Sequence, residues 1–180
     1  MGSKGKYVFP SYIKMASLTL NSGIISFKKD DDYETTETIW KLIVPYLQPY
    51  DTIYEPFYCS GKSGNIITSF GFNVIHKDED FFLHYNDYQY DIIVSNPPFS
   101  IKKKVFDTLK EIDKPFIMIV PVSTITKQFF RDKYKNEDIT ILIPPKRLQF
   151  SKKDVDLNRC WFDCLFVCYK LGLDKQMIFL

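Results

Sequence analysis

Short apolar runs spaced by amphipathic segments limit what this chain can fold into more than any other feature of it. Residues 91–95, 116–120, 139–143 and 162–169 are almost unbroken apolar stretches, and shorter ones lie at 51–54 and 72–75. Such runs suit strands covered on both faces. Helical periodicity falls between them, over 101–112 and 124–134, with a further helix beginning at 65–70 after a turn at 59–64. Strands that alternate with helices predict an α/β fold, a Rossmann-like and mostly parallel sheet with helices on both faces. The segment between Ile143 and Phe162 is turn-like and charged. It suits a direct return better than a crossover helix, so the last strand, 162–169, is predicted to be antiparallel.

Residues 1–29 show no clean period and read as an N-terminal arm, irregular or with a short strand; residues 30–180 read as one domain. Thr35 or Thr36 is placed to cap a helix with Glu37 in its first turn. Ile39, Trp40, Ile43 and Leu47 would form its buried side, and Pro45 would bend or shorten it. Cys160, Cys164 and Cys168 lie in or beside the last apolar run, where free thiols pack as small hydrophobes, so no metal site is expected there.

Net charge is +2, yet it is unevenly spread. Residues 1–90 carry 8 basic and 11 acidic side chains, and residues 91–180 carry 16 and 11. A basic half is what phosphate contacts need. Lys102, Lys103, Lys104, Lys146, Arg147, Lys152 and Lys153 follow strand ends there and are candidate nucleic-acid contacts, with solvated lysines the plain alternative. No apolar run approaches the about 20 residues of a membrane span and no signal peptide is read, so a cytoplasmic protein without membrane contact is expected.

In a parallel sheet, ligands bind beyond the carboxyl ends of the strands. After the strand at 91–95 comes Asn96-Pro97-Pro98-Phe99. Two prolines stiffen the backbone and remove two donors. An amide oxygen and a neighbouring carbonyl can together accept both hydrogens of a planar amine, and Phe99 can stack on the ring that bears it. This stretch resembles the catalytic motif of the S-adenosylmethionine-dependent amino-methyltransferases, whose pattern is Asn or Asp, Pro, Pro, aromatic. The turn Glu55-Pro56-Phe57-Tyr58-Cys59-Ser60-Gly61 resembles that family's cofactor turn, with Cys59 where the first glycine usually stands.

The resemblance covers about residues 30–170, in the compact form found in phages and large viruses. It implies S-adenosyl-L-methionine as cofactor and methylation of the N6 amine of adenine, with DNA favoured over RNA. It assigns the chemistry to Asn96, Pro97, Pro98 and Phe99. It assigns cofactor binding to Tyr33, Thr35, Glu55, Pro56, Cys59, Gly61, Asp78, Asp80, Phe81 and Asn96. Within these, the acid of Glu55 would take the amino group; by position Asp78 matches the ribose acid and Asp80 with Phe81 the adenine pair, with the ribose open among Asp78, Glu79 and Asp80. His76 and His84 read as polar loop residues.

No separate region for reading a target sequence is evident. Target choice is therefore expected from residues 100–104, residues 151–158, the arm, a protein partner or a second copy. Glutamine side chains in proteins are the other substrate class that such a motif serves. A degenerate binding module, suggested by Cys59 and Thr36, is a different class again. Gly61-Lys62-Ser63 also invites comparison with a phosphate-binding loop, but Pro56 stands where that loop needs its first glycine.

Overall fold

The computed structural model describes residues 18–20, 23–25, 33–152 and 162–180, the first two segments and Lys152 through the backbone alone. In chain order the elements begin with a hairpin, β1 (Leu18–Leu20) and β2 (Gly23–Ile25), then β3 (Tyr33–Glu34). Helices α1 (Glu37–Lys41) and α2 (Val44–Leu47) precede β4 (Thr52–Tyr54), α3 (Lys62–Ser69) and β5 (Asn73–Ile75). Then come α4 (Phe81–His84), β6 (Ile92–Ser95), α5 (Lys102–Ile112) and β7 (Phe116–Pro121). The chain finishes with α6 (Gln128–Tyr134), β8 (Ile139–Ile143), β9 (Ser151–Lys152), β10 (Cys164–Tyr169) and β11 (Met177–Phe179).

Seven strands form the central sheet in the order β11-β8-β10-β7-β6-β4-β5. Strands β5, β4, β6 and β7 are mutually parallel. Strand β10 runs antiparallel to both β7 and β8, and β11 lies parallel to β8, so β10 alone is reversed. The reversal at 164–169 is as expected. That strand is not the last, however: Leu171 to Gln176 lead into β11, whose short pattern Met177-Ile178-Phe179 was not legible as an edge strand.

Alternation within each strand divides the core between the two faces. Ile92, Val94, Ile117 and Ile119 pack with Ile39, Trp40, Ile43, Leu47 and Ile67 from α1, α2 and α3. Ile93, Phe116, Met118 and Val120 pack with Val105, Phe106, Leu109, Phe130 and Tyr134 from α5 and α6. Cys164 and Cys168 are buried in β10, whereas Cys160 lies outside the described residues.

Four local expectations are corrected. The expected first helix is split in two, because Pro45 in the first turn of α2 cannot supply a helical amide. Thr36 stands at the N-cap of α1 with no side-chain hydrogen bond. Helix α3 begins at Lys62 instead of Asn65, since Gly61 (φ +81°) makes the turn one residue before it. Only 128–134 of the second predicted helix is α-helical, with a 3-10 turn at Val122–Thr124.

Candidate active site

Glu55 follows β4 and Asn96 follows β6, and these strands are parallel neighbours, so both residues emerge at one edge of the sheet. A two-stranded pairing of β3 with β9 carries Tyr33, Glu34 and Thr35 to the same edge. A pocket opens between these segments. It is lined by Tyr33, Glu34, Thr35, Glu55, Phe57, Tyr58, Cys59, Ser60, Lys62, Ser63 and Asn96. Pro56 and Gly61 are buried in the same turn.

The turn is held tightly. Gly61 N–H donates to the Tyr58 carbonyl at 2.7 Å. A Cβ at Gly61 would lie 2.9 Å from the Tyr58 hydroxyl, and the positive φ there also favours glycine. Lys62 Nζ lies 2.5 Å from Glu34 Oε2, joining α3 to the N-terminal segment. Burial works to raise the pKa of Glu34, but hydrogen bonds from Lys62, Ser60 and Ser151 outweigh it and hold the carboxyl below its ordinary value.

Cys59 adopts φ +49°, a left-handed conformation that a side chain disfavours. Replacing Cys59 by glycine is therefore expected to raise stability, by about 0.5–1 kcal/mol after the entropy of the unfolded glycine is counted. Urea denaturation of the two proteins checks it. A less stable variant would mean that the thiol's contacts outweigh the strain.

On the other side of the pocket, Asn96 Oδ1 is buried and has no hydrogen-bond partner. Pro97 is buried, and Pro98 leads into a 3-10 turn at Phe99–Ile101. Lys102 Nζ donates to the Phe99 carbonyl at 3.0 Å. The Phe99 ring stacks on Tyr33 (centroids 6.4 Å apart, 29° between planes) and meets Phe162 edge-on at 5.4 Å. Tyr33 in turn packs against Phe150 at 5.8 Å and Phe162 at 6.3 Å. Phe150 and Phe162 were missed as site residues. Nothing in their local sequence marks them, because only the β3–β9 pairing and the return into β10 bring them to Phe99.

The acidic loop after β5 departs from the expected arrangement. Asp78 is exposed and does not line the pocket. Asp80 Oδ1 accepts the Phe82 amide at 2.9 Å and so caps α4. Its Oδ2 is buried without a partner. Phe81 is the clearest correction. At 2% exposed, it packs among Tyr54, Phe57, Phe82 and Tyr85, because the first turn of α4 directs it into the core and away from the pocket.

His76 is likewise no solvated loop residue. Its Nδ1 lies 2.5 Å from Glu55 Oε2, with the side chain only 8% exposed. Burial disfavours the charged ring, yet the contacts with Glu55 outweigh it and lift the pKa above the usual imidazole value.

The basic residues separate by environment. Lys103 pairs with Asp107 at 2.7 Å, Arg147 with Asp163 at 2.7 Å, and Lys146 is exposed. Lys104 is a correction. Its ammonium is buried, has no hydrogen-bond partner, and lies 3.7 Å from the Phe82 ring centroid, facing the protein and not solvent. Lys152 is described through its backbone in β9, and Lys153 lies outside the described residues.

No protein-family model matches the chain, and no curated protein matches it. Among solved structures, the crystal structure of TrmN from Thermus thermophilus is similar, with a TM-score of 0.36 and 11% identity over 76% of this chain and 49% of that one. The chain thus spans about half the length of that protein. Its own sheet, mostly parallel with β10 alone reversed between β7 and β8 and helices on both faces, is Rossmann-like.

Proposed function

We propose that this protein transfers a methyl group from S-adenosyl-L-methionine to the N6 amine of adenine in DNA. The observation that carries the reading is the buried, unpartnered Asn96 Oδ1, held on a pocket wall beside Phe99. A buried acceptor without a donor costs stability, and such groups concentrate where a ligand supplies the missing hydrogen.

The residues present fit the cofactor. Thr35 Oγ1 and Glu55 Oε2 are further buried oxygens without a hydrogen-bond partner on the same pocket. Tyr33, Thr35, Cys59 and Gly61 would hold its amino-acid end. When bound, the cofactor supplies an electrophilic methyl group on a sulfonium.

The chain's own part is positional. Asn96 Oδ1 accepts one hydrogen of the adenine amine, and the Pro97 carbonyl accepts the other. These two bonds favour a pyramidal nitrogen whose lone pair leaves the ring. They strengthen as positive charge develops on that nitrogen. Phe99 and Phe162 offer faces and edges against which a base can pack. In a duplex the base must first leave the stack.

Nucleic acid as the partner is supported by the excess of basic residues in the second half of the chain. Lys104→Met is expected to leave the salt dependence of DNA binding unchanged, because the ammonium is enclosed. Lys146→Met is expected to reduce its slope by about one. Titrations at several salt concentrations measure both, and a slope change in the Lys104 variant would restore that residue as a phosphate contact.

Incubation with labelled S-adenosyl-L-methionine and duplex DNA, single-stranded DNA or RNA, followed by mass analysis of the digests, tests the function. N6-methyladenine in DNA is the expected product. The same product in RNA alone would change the substrate class. Cofactor binding without transfer to any pool would overturn the enzyme reading in favour of a binding module.

A further inference from the structure

The Glu55 carboxylate is only 1% exposed, with Oε1 hydrogen-bonded by the protein itself and Oε2 beside His76. Oε1 accepts the Ser95 hydroxyl and, at 3.3 Å, the Phe57 amide. Oε2 lies 2.5 Å from His76 Nδ1, which is also 2.8 Å from the Glu55 main-chain carbonyl. A carboxylate offers about four acceptor positions. The protein fills two of them, both on Oε1; Oε2 has its ion pair with His76 and no hydrogen-bond partner.

These contacts join three strand ends. Glu55 follows β4, His76 follows β5, and Ser95 closes β6. Ser95 is also the residue before Asn96, whose other neighbour is the stiff Pro97-Pro98 pair. His76 cannot drift from the carboxylate. Its ring stacks on Tyr58 with centroids 4.7 Å apart and lies directly beneath Gly64 of α3. The chain of contacts therefore runs from the cofactor turn, through a buried ion pair, to the residue that carries the amine acceptor.

We propose that Glu55 is a positioning residue for the Asn96 amide, held to it through Ser95, with His76 as its enclosed counter-charge. This rests on Asn96 being the amine acceptor. Without the Glu55–Ser95 bond the end of β6 loses its only side-chain tether to β4 among the described residues, and the amide can shift relative to the pocket. Small displacements of a positioning group carry large rate penalties.

The test compares wild type with Ser95→Ala and Glu55→Gln. Calorimetry gives the Kd for S-adenosylhomocysteine, single-turnover assays give the methyl-transfer rate, and the 15N resonance of the Asn96 side-chain amide reports its surroundings. In both variants the rate is expected to fall by up to about 10²-fold. In Ser95→Ala the Kd stays unchanged, and in both variants the Asn96 resonance moves. A Kd that rises in step with the rate loss in Ser95→Ala, or an Asn96 resonance that stays in place, overturns the proposal.

Ser95→Ala removes a single oxygen, so it decides the matter should Glu55→Gln not fold. If wild type itself transfers no methyl group, the proposed function fails. The Asn96 resonance still decides the clamp, because it needs no turnover.

Discussion

Asn96→Ala is expected to lower methyl transfer by about 10²–10³-fold, the scale seen when one preorganised hydrogen-bonding group is removed from a reaction centre. The same variant should bind S-adenosylhomocysteine as tightly as wild type. Its stability is the more telling readout. Asn96 Oδ1 is buried with nothing to accept, so the folded state already bears the cost of desolvating it. Deleting an oxygen of this kind costs the fold little, and an unchanged or higher urea midpoint is expected. Lost activity with kept or improved stability is the pattern of a group retained for chemistry. Equal activity in the variant would remove Asn96 from the mechanism. A large fall in stability would make it a structural residue whose partner lies elsewhere.

The largest effect on stability is expected from Gly64→Ala. In a helix interior, alanine should gain about 1 kcal/mol over glycine. Sterics reverse that sign here. A Cβ at position 64 would sit 2.2 Å from His76 Cδ2, 2.4 Å from its Cγ and 2.7 Å from its Cβ. The ring has nowhere to go, since Nδ1 is held by Glu55 and its face by Tyr58.

Overpacking of this kind costs about 1–3 kcal/mol and sometimes more, so a net loss near 2 kcal/mol is expected despite the gain in propensity. Denaturant titration measures it. Loss of cofactor affinity should accompany it, because α3 begins directly after the pocket turn. In a Gly64→Ala background, His76→Ala is expected to recover stability, so the two changes should be strongly non-additive. A Gly64→Ala protein as stable as wild type would mean that the ring moves aside freely, and would weaken the case for His76 as a fixed counter-charge.

Much of the architecture follows from periods in the chain. The buried runs at β6, β7, β8 and β10 are apolar along their length because both faces of each strand are covered, and such a pattern survives any tertiary context. The Asn96-Pro97-Pro98-Phe99 stretch was legible for a similar reason. Two prolines and an amide act locally, and the strand before them sets where they emerge. The turn at 55–61 was legible through Glu55, Pro56 and Gly61, although helix α3 starts earlier than its polar first turn suggests.

Other features depend on partners distant in sequence. Asp80 and Phe81 look like an acid–aromatic pair facing a ligand. In the structure, Asp80 caps a four-residue helix and Phe81 fills the core, because the pattern of a single short turn cannot say which side faces inward. Lys104 reads as one of three consecutive surface lysines, yet helical geometry points three neighbours in three directions, and only one of them meets Phe82. His76 carries no local sign that it would sit against Glu55, which lies on another strand.

By itself, then, the sequence determined the strand–helix alternation, the reversed strand and the motif that emerges from β6, because each rests on residues within one short window. Only the tertiary structure decided that Tyr33, Phe99 and Phe162 share one aromatic wall, that Glu55 is held by Ser95 and His76, and that Asn96 Oδ1 is left without a partner. Those are properties of side chains brought together by parallel pairing and by the β3–β9 bridge, and no single segment encodes them.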